Sequence, residues 1–190
     1  MLVECGFVRA YTSSGAEFTF TPSLGRIADL GSPHEIVALY AALHGSNAAQ
    51  DAAYVLAGLC DQEDASALIG WHDEAGAWHD GAMPPAERVV IARHLMQHGI
   101  CGKARPSAAG AERGGQYTDR FEAAEYIAAA RVHFGLSSAD AAALSMTEFQ
   151  TMLAMKFLDS DAAKGARRRD VPSRAEYEAA MARVKGKASV

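Results

Sequence analysis

The chain has 190 residues, 49% hydrophobic by a broad count and 22% charged, with a net charge of −5. That length supports one sizeable core or two small ones. The acidic balance argues against nucleic acid as the main partner, since phosphate binding needs a basic footprint, and no apolar run reaches the ~18 residues of a membrane span.

The opening residues, MLVECGFVRAY, have neither the basic start nor the length of a signal peptide. Residues 2–11 and 17–21 read as two strands joined by a turn at 12–15. Phe18 and Phe20 alternate with Glu17, Thr19 and Thr21, so one face is suited to burial. Ser23 can cap a short helix running to Leu30 and ended by Gly31. Ser32, Pro33 and Glu35 then combine cap, first-turn proline and capping-box glutamate. Ile36, Leu39, Tyr40 and Leu43 line one face of the helix they start, and Gly45 stops it. A third helix runs from Asn47 or Gln50 to Cys60, with Ala53, Leu56, Ala57 and Cys60 in one stripe. Cys60 is therefore expected as a small buried hydrophobe. The three cysteines, Cys5, Cys60 and Cys101, are widely spaced and odd in number, which suits reduced cytoplasmic thiols.

Residues 68–80 read as a second hairpin, with Trp71 and Trp78 flanking a turn at 73–76 and placed to stack across it. Met83-Pro84-Pro85 opens a helix to His98, and Gly99 and Ile100 supply a cap and its apolar contact. Val89, Ala92, Leu95 and Met96 share one side of that helix, placing it in an N-terminal core. Residues 103–117 are small, polar and glycine-rich, as in a linker.

A helix is expected over 119–134, with Phe121, Ala124, Ala128 and Val132 on its apolar face. Gly135 suits a left-handed cap, followed by Leu136 as its apolar contact. Ser137 or Ser138 can cap a short helix over 139–144, and Ser145 or Thr147 starts another. Phe149, Met152 and Leu153, preceded by Met146, form a stripe on that last helix. Methionines 146, 152 and 155 make a soft surface that suits a shifting partner, or else fill a small core. Leu136, Met146, Phe149, Met152 and Leu153 are the candidate partner-binding residues. Residues 159–171 form a basic connecting stretch containing Arg167, Arg168 and Arg169. A terminal helix and tail over 172–190 begin with Ser173 as cap and Glu176 three residues on.

Chemistry finds little support. His94 and His98 lie four apart and point the same way, with Glu87, Cys101, His72 and His79 nearby in sequence. Such groups suit zinc. However, residues 94–98 read HLMQH, without the H-E-x-x-H order, so the pair remains a weak metal candidate and no cofactor is expected. No G-x-S-x-G elbow or phosphate loop is present, and Asp61, Glu63 and Asp64 read as a solvated turn. Helix, GLS turn and helix have the grammar of a DNA-binding helix-turn-helix. The segment MTEFQTMLAMKF, however, carries Glu148 early and Lys156 as its one basic residue.

Three segments carry a family resemblance: FTFTPSLGRIADLGSPHEIVALYAALHG, MPPAERVVIARHLMQHGICGKARP and EYIAAARVHFGLSSADAAALSMTEFQTMLAMKF. Together they resemble tail assembly chaperone-like proteins of long-tailed bacteriophages. The resemblance implies a non-enzymatic protein of the host cytoplasm that binds the tape measure protein, with the tail tube protein as a second partner. It supplies no active-site residues. Retention in the virion as a structural tail component is the rival role, and helix-turn-helix DNA binding a third. The expected architecture is mostly α. A helical N-terminal domain with short β-hairpins, 1–102, is linked to a small C-terminal helical unit, 118–158.

Overall fold

A computed structural model describes residues 5–102 and 119–157. The chain divides into two compact units, 1–150 and 151–190, and of the second the described residues are 151–157. The fold is mostly helical, with two small antiparallel sheets of two strands each. The expected segments 103–117, 159–171 and 172–190 lie outside the described residues.

Strands β1 (Val8–Tyr11) and β2 (Glu17–Phe20) pair with Val8 opposite Phe20 and Tyr11 opposite Glu17. Their turn is closed by the Gly15 N–H on the Thr12 carbonyl at 2.9 Å. Alternation predicts burial of Phe18 and Phe20 alone, yet Thr19 is buried too. The chain leaving the third helix covers the free edge of β2, where Asp61 N–H donates to the Thr19 carbonyl at 2.8 Å. Thr19 N–H in turn donates to Gln62 Oε1 at 3.0 Å. An edge strand covered in this way has few unpaired groups left for another chain.

Helix α1 (Leu24–Asp29) is capped by Ser23, whose hydroxyl accepts from Arg26 N–H at 3.3 Å. Leu24 and Ile27 are fully buried; each such burial contributes about 1.5–3 kcal/mol. Helix α2 (Pro33–Ala42) starts at the expected box, with Ser32 N–H donating to Glu35 Oε2 at 2.8 Å. That bonding holds Glu35 below the usual carboxylate range. Helix α3 (Ala48–Leu59) buries Ala52, Ala53, Val55, Leu56 and Leu59, and Cys60 beyond its end. Burial pushes the Cys60 thiol up. Ala57, expected in the buried stripe, is exposed.

Residues 66–69, expected as the start of a strand, instead form a helical turn, α4 (Ser66–Ile69). The hairpin is confined to β3 (Gly70–His72) and β4 (Trp78–Asp80). Helix α5 (Pro85–Met96) packs mainly on α3, with Ala92, Leu95 and Met96 fully buried. Gly99 was expected to end it, but the chain continues as a wide π-helical turn, Gln97–Cys101. That turn closes through Gly102 N–H on the Gln97 carbonyl at 2.9 Å. Gly102, at a positive φ of 79°, supplies the stop. Gly99 has another duty: a Cβ there would lie 2.7 Å from Ile27 Cδ1.

Helix α6 (Ala123–Phe134) begins later than expected and turns a different face inward. Ala123 and Ala130 are buried, whereas Ala124 and Ala128 are exposed and Val132 is 80% exposed. Spacing fits both faces, and the aromatic residues decide between them. Tyr126 stacks on Phe121 at 5.3 Å and meets Phe149 edge-on at 5.7 Å. Gly135 adopts the expected left-handed cap at φ 69°. Ser137 caps α7 (Ser138–Ala143), accepting from Asp140 N–H at 3.1 Å. Helix α8 (Met146–Lys156) starts from a reciprocal pair. Ser145 N–H donates to Glu148 Oε2 at 2.8 Å, and Glu148 N–H to Ser145 Oγ at 3.2 Å.

The expected boundary between residues 102 and 118 does not separate two cores. Helix α1 packs on both α6 and α7. Leu24 N–H donates to the Leu144 carbonyl at 2.8 Å, and Phe121 N–H to the Pro33 carbonyl at 2.9 Å. Residues 5–102 and 119–150 therefore share one interior. A short helix such as α1 cannot bury Leu24 and Ile27 without neighbours on several sides, and part of that cover comes from distant sequence.

Candidate functional site

Met146 is 1% exposed and Phe149 5%, so both belong to the chain's own core. This corrects the expectation that they face a partner. Phe149 closes an aromatic cluster with Tyr126 and with Phe134, whose ring lies 6.0 Å away. Such a stripe satisfies helical spacing equally well as core or as surface, and here Tyr126 and Phe134 of α6 pack against it. Leu136 is half-buried, as are Met152 and Leu153, which belong to the second unit.

The weak metal candidates are adjacent in space. The His94 and His98 rings lie 4.6 Å apart. His98 Nδ1 sits 2.7 Å from Thr147 Oγ1, sharing a hydrogen bond with it, while His94 Nε2 is buried without a partner. Among the described residues, no group of three or more His, Cys, Asp or Glu side chains could hold a metal ion. The other expected neighbours, His72 and His79, are engaged on the second hairpin.

The hairpin presents a different site. Between α3 and β3–β4 lies a cleft of about 470 Å³ lined by Tyr54, Glu63, Asp64, Trp71, His72 and Trp78, among others. Three large aromatic side chains stay open to solvent there: Tyr54 at 55%, Trp71 at 47% and Trp78 at 38% exposure. Isolated exposed apolar residues are ordinary, whereas these three are grouped around one concavity.

Each ring is held in place. Tyr54 hydroxyl donates to the Leu30 carbonyl at 2.8 Å, which fixes its ring while the residue stays exposed. The register sets Trp71 opposite His79 and His72 opposite Trp78, so the tryptophans do not stack on one another as expected. Instead each packs on a histidine: Trp71 stacks on His79 at 5.2 Å, and Trp78 meets His72 edge-on at 5.0 Å. A side chain's face alternates along a strand, so the two tryptophans leave opposite faces of the ribbon. His79 is anchored in turn by Asp73 at 2.9 Å. That contact, together with N–H donation from Ala77 and Ala75, holds Asp73 below the usual carboxylate range.

Arg88 of α5 ties the hairpin to the helical core. It is 2% exposed. Its Nη1 donates to the Ile69 carbonyl at 2.6 Å and its Nη2 to Asp80 Oδ1 at 2.5 Å. Its guanidinium lies 5.4 Å from the centre of the Trp78 ring. The Trp78 indole N–H also donates to Asp80 Oδ1, at 2.9 Å. Together these two donors pull the Asp80 carboxyl below its ordinary value, the indole first. Gly70 is required beside them: at φ 119°, an added Cβ would lie 2.5 Å from the Trp78 ring.

The rim of the cleft is acidic. Asp64 Oδ1 accepts from Ser66 N–H at 2.8 Å, starting α4, and Ser66 lowers the Asp64 carboxyl. Among the described residues, no lysine or arginine lines the cleft. Among the described residues, no cationic side chain pairs with Glu63 or Asp64. The arrangement offers aromatic side chains and anionic oxygens, with the Ser66 side chain bonded to Asp64.

Residues 44–179 match the model of one family, described as a Family of unknown function (DUF6246). The match spans most of the chain, and the protein belongs to that family. The whole cleft lies inside the matched span. No curated protein and no solved structure matches the chain. Among the described residues, no helix is long and apolar enough to cross a membrane.

Proposed function

We propose that the protein is a non-catalytic binding protein that holds a segment of another protein in the aromatic cleft. Its biological setting follows the sequence resemblance: a tail assembly chaperone that keeps the phage tape measure protein soluble in the host cytoplasm until tube subunits replace it. The observation that carries binding at this place is the exposed trio Tyr54, Trp71 and Trp78, fixed around a concavity. Aromatic side chains contribute large contact area at small entropic cost, which is why they dominate interface hot spots. An open, shallow site also suits a partner that must later be released.

Co-expression tests the reading. The tape measure protein is expected in the soluble fraction with this chain and in the pellet without it. Trp71→Ala should return it to the pellet while the variant itself stays soluble. Unchanged insolubility beside the intact chain would defeat the chaperone assignment. Detection of the chain in purified particles would instead assign it to the tail structure.

A further inference from the structure

The geometry points to a guanidinium-bearing side chain, an arginine of the partner protein, as the group the cleft selects. This rests on the reading that the cleft is the binding site and adds what it recognises. Two independent properties converge. The first is shape and π character: Tyr54, Trp71 and Trp78 line one concavity and each stays partly exposed. Flat cations are attracted to aromatic faces by the ring quadrupole, with tryptophan the strongest host. The second is charge. Glu63 and Asp64 are exposed on the lining, and among the described residues no lysine or arginine lines it. Asp64 is held ionised by Ser66, so its charge persists into mild acid.

The fold shows the same chemistry from within. Arg88 already sits against Trp78 while pairing with Asp80. That internal pair occupies one side of the indole, and the Trp71 and Tyr54 rings have no guanidinium partner of this kind among the described residues. An anionic segment would meet two carboxylates and, among the described residues, no lining counter-charge, so acidic partners are disfavoured. Arginine is preferred over lysine because its planar fork both stacks on a ring and pairs with a carboxylate, whereas ammonium is more strongly hydrated.

The chain's two tryptophans, Trp71 and Trp78, both line the cleft, so intrinsic fluorescence reports on this site. The experiment titrates the full chain with a blocked alanine-rich helical peptide carrying arginines. Parallel titrations use the same peptide with citrulline and with glutamate in their place. The arginine peptide is expected to shift tryptophan emission and to bind about tenfold tighter than the citrulline peptide at low salt, within the reach of a desolvated cation–π contact plus an ion pair. Added salt should reduce that advantage. Glu63→Gln with Asp64→Asn should abolish most of it, and the asparagine can still accept from Ser66 N–H. Trp71→Leu should weaken binding while Trp78 continues to report, and circular dichroism confirms that each variant is folded. Equal binding of the arginine and citrulline peptides would overturn the charge selectivity while leaving the cleft as a binding site. Absence of any emission change, with co-expression solubility intact in Trp71→Ala, would overturn the site as well and leave only the chaperone role standing.

Discussion

Replacing Arg88 by methionine tests how the hairpin is attached to the helical core. The variant keeps an unbranched side chain of useful length and removes the charge. The lost bond to the Ile69 carbonyl is buried, and hydrogen bonds to charged groups contribute about 1.5–3 kcal/mol. In part compensation, the unpartnered Nε of Arg88 leaves the interior, which returns about 1 kcal/mol of desolvation cost. The net loss is about 1 kcal/mol, or ~2–4 °C in melting temperature for a chain of this size. Urea unfolding followed by tryptophan emission and by circular dichroism measures it, and Trp78 emission should move to the red in the folded variant. The pH dependence has a fixed sign. Asp80 titrates below its unfolded value in the native chain, with Arg88 as one cause. The stabilisation linked to it is therefore complete above about pH 4 and is lost as pH falls through the lower folded value. The difference between wild type and variant should be flat near neutrality and narrow in acid. An unchanged urea midpoint, or a difference that widens in acid, would refute this account of the attachment.

Two further substitutions probe the interior. Phe149→Ala should cost about 3–5 kcal/mol, since it empties a buried aromatic site, and a thermal melt reads it. A normal melt would return Phe149 to the surface. Gly99→Ala should cost about 1–3 kcal/mol by overpacking against Ile27. Adding Ile27→Val removes the clashing methyl and should recover part of that loss, whereas strictly additive costs in the double variant would show that the contact is not the cause.

Local signals were legible wherever a residue acts on its immediate neighbours. Ser23, Ser32 with Glu35, Gly135 and Ser137 all start or stop the helices their chemistry predicts. The reading failed where a choice depended on distant chain. Helix α6 offers two stripes of similar apolarity, and only the rings of Phe121 and Phe149 select the inner one. Gly99 looks like a stop signal, yet its lack of a side chain serves packing on Ile27. The candidate stripe at Met146 and Phe149 failed for the same reason, being paired with a neighbour that no local pattern reveals. The cleft was half visible. Trp71 and Trp78 stood out, but Tyr54 lies on another helix, and Glu63 and Asp64 resemble any solvated turn until the fold brings them to the same rim.

The bond between Leu24 and Leu144 has a consequence for the birth of the chain. Ribosomes add about 5–20 residues per second, so on the order of ten seconds separates the emergence of α1 from that of the strand-like link after α7. Throughout that interval the apolar side of α1, with Leu24 and Ile27, lacks part of its final cover. A protein proposed to shield others is therefore itself exposed during translation. Its own completion waits on the late arrival of sequence far downstream, and slow codons or truncation before Leu144 would be felt first in the N-terminal helices rather than at the cut.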